Sequence, residues 1–279
     1  MGFPMAERLL NAGHNCSVYN RSLNKAKELE IRGAKAYSQC SRAVEGAECI
    51  ILMLADLKAM EEVLLTDECL KVIKGKTIIQ MGTIAPDESI YLNQRFRECQ
   101  AQYLEAPVLG SRKEAADGRL IVMVGSSKEN FNKWKPVLSI FGEQLQYIGA
   151  VGKAAALKLA LNQLIANHLA GFSLSLGIIE KNNIDIQVFM NILKESALFA
   201  PMYEKKMPNW KNRNYDNPNF PVKHLLKDVR LILKESDSKG LRTDVLKSIE
   251  GLLEESMDQG LADKDYSSIF NVINNITHD

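Results

Sequence analysis

The run CIILML, Cys49 to Leu54, contains no polar residue. A strand with water on one face alternates apolar and polar side chains, so an unbroken apolar run marks a strand covered on both faces, as in a parallel sheet. Parallel neighbours need crossover connections, commonly helical, so the surrounding chain must alternate strand with helix. Helical spacing over Met5–Leu10 stops at Gly13, and Cys16–Tyr19 follows as a short strand. Lys25–Ile31 is a charged amphipathic helix ended by Gly33. Beyond the apolar run, helices are predicted near Lys58–Leu65 and Leu70–Ile73, then a strand at Thr77–Met81 and a helix from Pro86 to Cys99. YLEAPV, RLIVMVG and LQYIG are further strands. This pattern specifies an α/β fold with a doubly wound sheet.

After Gly152 the alternation ends. Ala154–Lys181 reads as one long helix with few charges, expected to be buried around most of its circumference. At about 1.5 Å per residue it reaches roughly 40 Å, enough to pass from one domain into another. Further helices are predicted at Ile186–Glu195, Val222–Ser236, Thr243–Gln259 and Tyr266–Asn274. The Pro- and Asn-rich stretch from Ala200 to Pro221 reads as irregular in part. A length of 279 residues suits two domains, expected at 1–152 (Rossmann-like) and 153–279 (all-α).

Composition narrows the function classes. With 46% hydrophobic and 25% charged residues the chain has ample material for a core. A formal charge of +1 leaves no electrostatic footprint for nucleic acid. The least polar long segment, Ala154–Ile179, is interrupted by Lys158, Asn162, Gln163, Asn167 and His168, which argues against a membrane span. Five cysteines (Cys16, Cys40, Cys49, Cys69, Cys99) form no C-x-x-C pair and read as reduced core thiols of a reducing, cytoplasmic compartment. No metal site is expected.

In a dinucleotide-binding βαβ unit, G-x-G-x-x-G joins the first strand to the first helix, whose N-terminus carries the pyrophosphate. Gly2, with Pro4 in the first turn, fits the third glycine, and an ordinary helix start is the alternative. On the first reading the unit is entered after its first strand. Where an acidic residue would bind the ribose hydroxyls of NAD, the second strand exits into Asn20-Arg21-Ser22, with Lys25 close behind. A guanidinium pairs with a 2′-phosphate and a serine hydroxyl donates to it; a solvated basic turn is the other reading. Lys158 and Asn162, four apart, share one helix face. In the apolar run AAALKLAL an ammonium releases its proton more readily than in water, which suits it to protonate a developing alkoxide. A snorkelling lysine and a helix–helix hydrogen bond are the alternative.

Four segments together resemble the β-hydroxyacid dehydrogenases. MGFPMAERLLNAGHNCSVYNRS is similar to their G-x-G-x-M-G-x-P-M-A motif followed by N-R-[ST] in the NADPH-using branch. LEAPVLGSRKEAADGRLIVMVG resembles the substrate-binding A-P-V-S-G segment, and GAVGKAAALKLALNQ the catalytic G-x-x-x-K-x-x-x-N segment. FPVKHLLKDVRL is similar to a stretch of the glyoxylate/succinic semialdehyde reductases. The four stand in order, at the usual separations, over nearly the whole chain.

The resemblance implies a Rossmann-like domain followed by a helical domain, NADP(H) as preferred cofactor with NAD(H) possible, and a small aldehyde acid or hydroxy acid as substrate. It places the catalytic lysine at Lys158, with Asn162 beside it. Cofactor contacts fall to Gly2, Met5, Asn20, Arg21, Ser22, Lys25, Met53, Leu54, Thr83 and Lys227. Substrate contacts fall to Gly110, Ser111, Asn162, Phe220 and Asp228; Gly110 and Ser111 alone read as a tight turn, and Asp228 alone as a solvated helix residue. Leu109, Gly82 and Gln80 depart from the family pattern, where serine, serine and aspartate are usual. Imine reduction and a catalytically silent dinucleotide-binding protein are the alternatives, against which Lys158 and Asn162 speak. A homodimer or homotetramer is expected on resemblance.

Overall fold

The computed structural model describes residues 1–275, and the chain divides into two compact units, Met1–Leu159 and Ala160–Asp279. In the first unit, β3 (Cys49–Leu52), β4 (Thr77–Gln80) and β5 (Gln102–Glu105) pair in parallel. β7 (Ile121–Gly125) runs antiparallel to β5 and to the short β6 (Val108–Leu109), and parallel to β8 (Gln144–Gly149). β1 (Ser17–Tyr19) and β2 (Lys35–Tyr37) form a separate parallel pair.

The apolar run is covered on both faces, as expected: Ile50 and Leu52 are buried in one apolar cluster, and the half-buried Cys49 and Ile51 pack against another. β4, which lies between two strands, is buried at all four residues. YLEAPV is two strands rather than one. Pro107 has no N–H to give the ladder, and beyond it β6 keeps the antiparallel pairing with β7 and has none with β4.

The helices of this unit are α1 (Gly2–Asn11), α2 (Leu23–Lys27), α3 (Cys40–Glu45), α4 (Leu57–Leu64), α5 (Asp67–Leu70), α6 (Pro86–Glu98), α7 (Arg112–Asp117) and α8 (Lys128–Leu138). One apolar cluster joins Met5 of α1 and Phe131, Trp134 and Leu138 of α8 to Ile79, Leu104, Val122 and Val124 of the sheet. A second joins Val44, Met60, Leu64, Leu92 and Phe96 to Ile50, Leu52, Ile78 and Tyr103. Each fully buried aliphatic or aromatic side chain contributes about 1.5–3 kcal/mol, so the two clusters hold the helices against the strands. All five cysteines are free; Cys69 is buried in the second cluster, Cys40 and Cys99 pack half-buried against it and Cys49 against the first, so only Cys16 lies apart from the core.

α9 (Lys153–Lys181) starts in the first unit and continues into the second, which adds α10 (Ile186–Lys194), α11 (Pro201–Lys211), α12 (Val222–Ser238), α13 (Asp244–Asp258) and α14 (Ile269–Ile273). Leu225, Val229 and Ile232 of α12 are buried, as are Leu246, Ile249 and Leu253 of α13 against which that helix packs. Phe172 of α9 stacks on Tyr203 at 4.1 Å and packs on Trp210 at 4.9 Å, both from α11. Contrary to the expected burial, α9 leaves Leu164, Leu174 and Ile178 exposed.

The irregular part of the Pro- and Asn-rich stretch follows α11. It is fixed by Asp265, 1% exposed, which pairs with Lys206 at 2.6 Å and accepts from the Asn219 N–H at 3.1 Å and the Ser267 hydroxyl at 2.7 Å. The Tyr266 N–H donates to the Phe220 carbonyl at 2.8 Å.

Candidate active site

In parallel α/β sheets ligands bind beyond the carboxyl ends of the strands. β3 and β4 end side by side there, the Met81 N–H donating to the Leu52 carbonyl at 2.8 Å. Met53 and Leu54 leave β3 half-buried, and Gly82 and the half-buried Thr83 follow β4. Gly2 opens α1 against Met53: a Cβ at position 2 would lie 3.6 Å from the Met53 Cβ, an ordinary contact. Gly82 is tighter. A Cβ there would stand 2.5 Å from the Leu54 carbonyl oxygen, which accounts for glycine where the family usually has serine. Gln80, fully buried, donates through Nε2 to the Gly82 carbonyl at 3.0 Å, while its Oε1 has no partner.

Beyond β1, the Asn20 Oδ1 accepts from the Ser22 N–H at 2.9 Å and closes an Asx turn. Asn20, Arg21, Ser22 and Lys25 are all exposed, a cationic turn with hydroxyl and guanidinium donors open to a ligand. Met5 is 2% exposed, and its side chain belongs to the apolar cluster of α1, α8 and the sheet. The donor set fits a dinucleotide phosphate: Gly2 opens α1 beside Met53, and the basic turn adds cations.

Gly110 sits at φ 139°, and a Cβ there would meet the Leu120 Cδ2 at 2.6 Å, so only glycine fits this turn. Ser111 caps α7. Its N–H donates to the Glu114 Oε2 at 2.7 Å and its hydroxyl donates to the same oxygen, a capping box. The N–H and hydroxyl of Ser111, an expected substrate contact, are therefore both engaged by a carboxylate of the chain itself, a feature the signature S-x-x-E at 111–114 carries in the sequence.

Lys158 and Asn162 lie one turn apart on α9, 8% and 2% exposed. In the second unit Asn162 Nδ2 donates to Asp228 Oδ2 at 2.7 Å, and Lys227 Nζ lies 2.7 Å from the other oxygen of Asp228. Asp228 is 2% exposed, so its reading as a solvated helix residue is excluded. The Asn162 Oδ1 is buried without a partner. Phe220 is half-buried with its ring 5.6 Å from that of Tyr266. Glu105, which the sequence reading passed over, is fully buried where β5 ends. Among the described residues no cluster of three His, Cys, Asp or Glu side chains forms a metal site, and no helix is long and apolar enough to cross a membrane.

A parallel-dominated, Rossmann-like sheet with helices, followed by a helical unit, is the architecture of this chain. Residues 1–149 match the NAD-binding domain of 6-phosphogluconate dehydrogenase, and residues 152–273 the NAD-binding domain of NADP-dependent 3-hydroxyisobutyrate dehydrogenase. The chain is 31% identical to glyoxylate/succinic semialdehyde reductase 2, chloroplastic, of Arabidopsis thaliana, over 98% of this chain and 76% of that protein. It is 29% identical to glyoxylate/succinic semialdehyde reductase 1 of the same plant, over 98% and 95% of the two chains. The 3-hydroxyisobutyrate dehydrogenase of Salmonella typhimurium shares the fold with a TM-score of 0.88 at 19% identity, over 97% and 95% of the two chains. The chain belongs to the β-hydroxyacid dehydrogenase family and is an NAD(P)-dependent oxidoreductase.

Proposed function

We propose that this protein reduces a small aldehyde acid, glyoxylate or succinic semialdehyde, with NADPH, and in reverse oxidises the hydroxy acid. The observation that carries the reading is a lysine, Lys158, that is 8% exposed on α9 with Asn162 one turn further on. A reduced nicotinamide supplies the hydride for the aldehyde carbon. The Lys158 ammonium donates a proton to the carbonyl oxygen as it becomes an alkoxide, and takes it back in the reverse direction. Asn162, held by Asp228 through Nδ2, leaves its Oδ1 to accept from the hydroxyl of the hydroxy acid, the form bound in the oxidative direction.

Arg21, Ser22 and Lys25 hold the 2′-phosphate, with Asn20 shaping their turn; Gly2, Met53, Leu54, Thr83 and Lys227 line the remainder of the cofactor site. The preference for NADPH is supported by the exposed basic turn beyond β1. Gly110 and Ser111 are assigned to the substrate carboxylate, for which Glu114 must swing aside, and Phe220 and Asp228 are assigned as further substrate contacts. Exposed Leu164 and Leu174 on α9 and Ile192 on α10 support association into a homodimer or homotetramer. Five free cysteines accord with the cytoplasm.

The test is NADPH oxidation, followed by absorbance, with glyoxylate, succinic semialdehyde and methylmalonate semialdehyde. Turnover of at least one is expected. Tight NADPH binding with no turnover of any aldehyde defeats the reading.

A further inference from the structure

Glu105 is the last residue of β5 and is fully buried. Its Oε1 accepts from the backbone N–H groups of Gly152 at 2.8 Å, Ala154 at 2.8 Å and Ala155 at 3.3 Å. Its other oxygen is bonded to the Ser89 hydroxyl, which pairs with the Tyr103 hydroxyl at 2.9 Å. The first N–H groups of a helix have no acceptor within the helix and are usually met by the residue just before it. Before α9 the sequence runs Ala150-Val151-Gly152, which offers no side-chain acceptor. The acceptor comes instead from a strand 47 residues away from Gly152 in the chain.

Gly125 keeps the path clear. A Cβ at that position would come within 2.8 Å of the Glu105 Cγ and Cδ, so the bare backbone of β7 is what lets the side chain reach α9. Lys158 stands four residues beyond Ala154, about 6 Å along the helix axis at 1.5 Å per residue. In the other direction Glu105 leads directly into Ala106–Leu109 and the Gly110–Ser111 turn.

We propose that Glu105 is a positioning residue of the reductase: it fixes the first turn of α9 against the end of β5, and so sets Lys158 relative to the Gly110–Ser111 turn. The role rests on the reading of Lys158 as proton donor. Displacement of a reacting group by about 1 Å can cost on the order of 100-fold in rate, so an anchor that touches neither substrate nor cofactor still governs turnover.

The experiment compares Glu105→Asp, Glu105→Ala and Glu105→Gln. The glutamine oxygen can still accept from α9, whereas the aspartate oxygen is withdrawn by one methylene. With kcat expressed per NADPH-binding site, the Asp and Ala variants are expected to lose about 10- to 100-fold, with Kd for NADPH unchanged, and the Gln variant is expected to stay near the native rate. Amide exchange over residues 153–158 should accelerate in the Asp and Ala variants and not in Gln. Native kcat per site in the Asp variant, or a loss accounted for entirely by lost NADPH-binding sites, overturns the proposal. If the native protein turns over no aldehyde, the reductase reading fails on its own, and unchanged exchange over 153–158 in the Asp and Ala variants separately overturns the anchor.

Discussion

Asn162 Nδ2 donates to Asp228 Oδ2 across 2.7 Å, with both residues 2% exposed. A buried carboxylate left with fewer donors is costly, typically about 1–3 kcal/mol for a lost partner. Asn162→Ala and Asp228→Ala should therefore each destabilise the protein by about that amount and couple strongly in a double-mutant cycle measured by urea unfolding. Additive losses would show that the pair does not act as a unit.

Lys158→Ala is expected to reduce turnover by about 100-fold or more, the scale of general acid catalysis, while NADPH affinity stays unchanged. Stopped-flow turnover and fluorescence titration of the cofactor check the two halves. Residual activity near native would remove Lys158 from the chemistry.

Arg21→Ala separates the phosphate reading from a plain solvated turn. A lost charge-assisted contact to a phosphate is worth about 1.5–3 kcal/mol, so the Kd for NADPH should rise by about one to two decades and that for NADH should hardly move. Equal weakening of both cofactors would contradict the assignment.

Glu114 occupies the Ser111 N–H and hydroxyl. Glu114→Ala should lower KM for glyoxylate, because two donors become free for its carboxylate, while removing a helix cap at a cost of about 0.5–2 kcal/mol. Steady-state kinetics beside a thermal melt tests both. A raised KM would mean that Glu114 supports the substrate turn instead of competing at it.

Burial pushes the Glu105 carboxyl above the ordinary carboxylate value, an effect that outweighs its hydrogen bonds from Ser89 and α9. A group raised on folding contributes stability below its unfolded pKa and loses it as pH rises through the folded value. The stability of the native protein relative to Glu105→Gln should therefore be greatest in acid and decline as pH rises from about 4.5 upward. Chemical unfolding at a series of pH values measures this, and a difference that grows with pH would reverse the sign.

The parts of this protein legible in its sequence are those whose signal is local. Lys158 and Asn162 can be read from a four-residue spacing in an apolar run, and the basic turn from three adjacent residues. Glu105 could not be read so, since its partners on α9 lie dozens of positions later, Ser89 lies well before it, and its own neighbours suggest only a strand. β2, with three residues, is too short for periodicity to register. α8 and α11 each contain an internal proline, Pro136 and Pro208, at which a helix loses a backbone donor, and their buried faces hold them as helices nevertheless. Phe131, Trp134 and Leu138 in the one, and Tyr203, Lys206 and Trp210 in the other, keep helical spacing across those prolines. Leu70–Ile73 lies three residues late because Thr66, which accepts from the Cys69 N–H, fixes an earlier start.

The pairing of Lys206 with Asp265 bears on the part of the chain that composition makes look slackest. The same carboxylate that meets the ammonium also grips the backbone at Asn219. The loop is thus cinched by a single inward-facing charge, and the stance of Phe220 beside it is inherited from an interaction made two helical elements away.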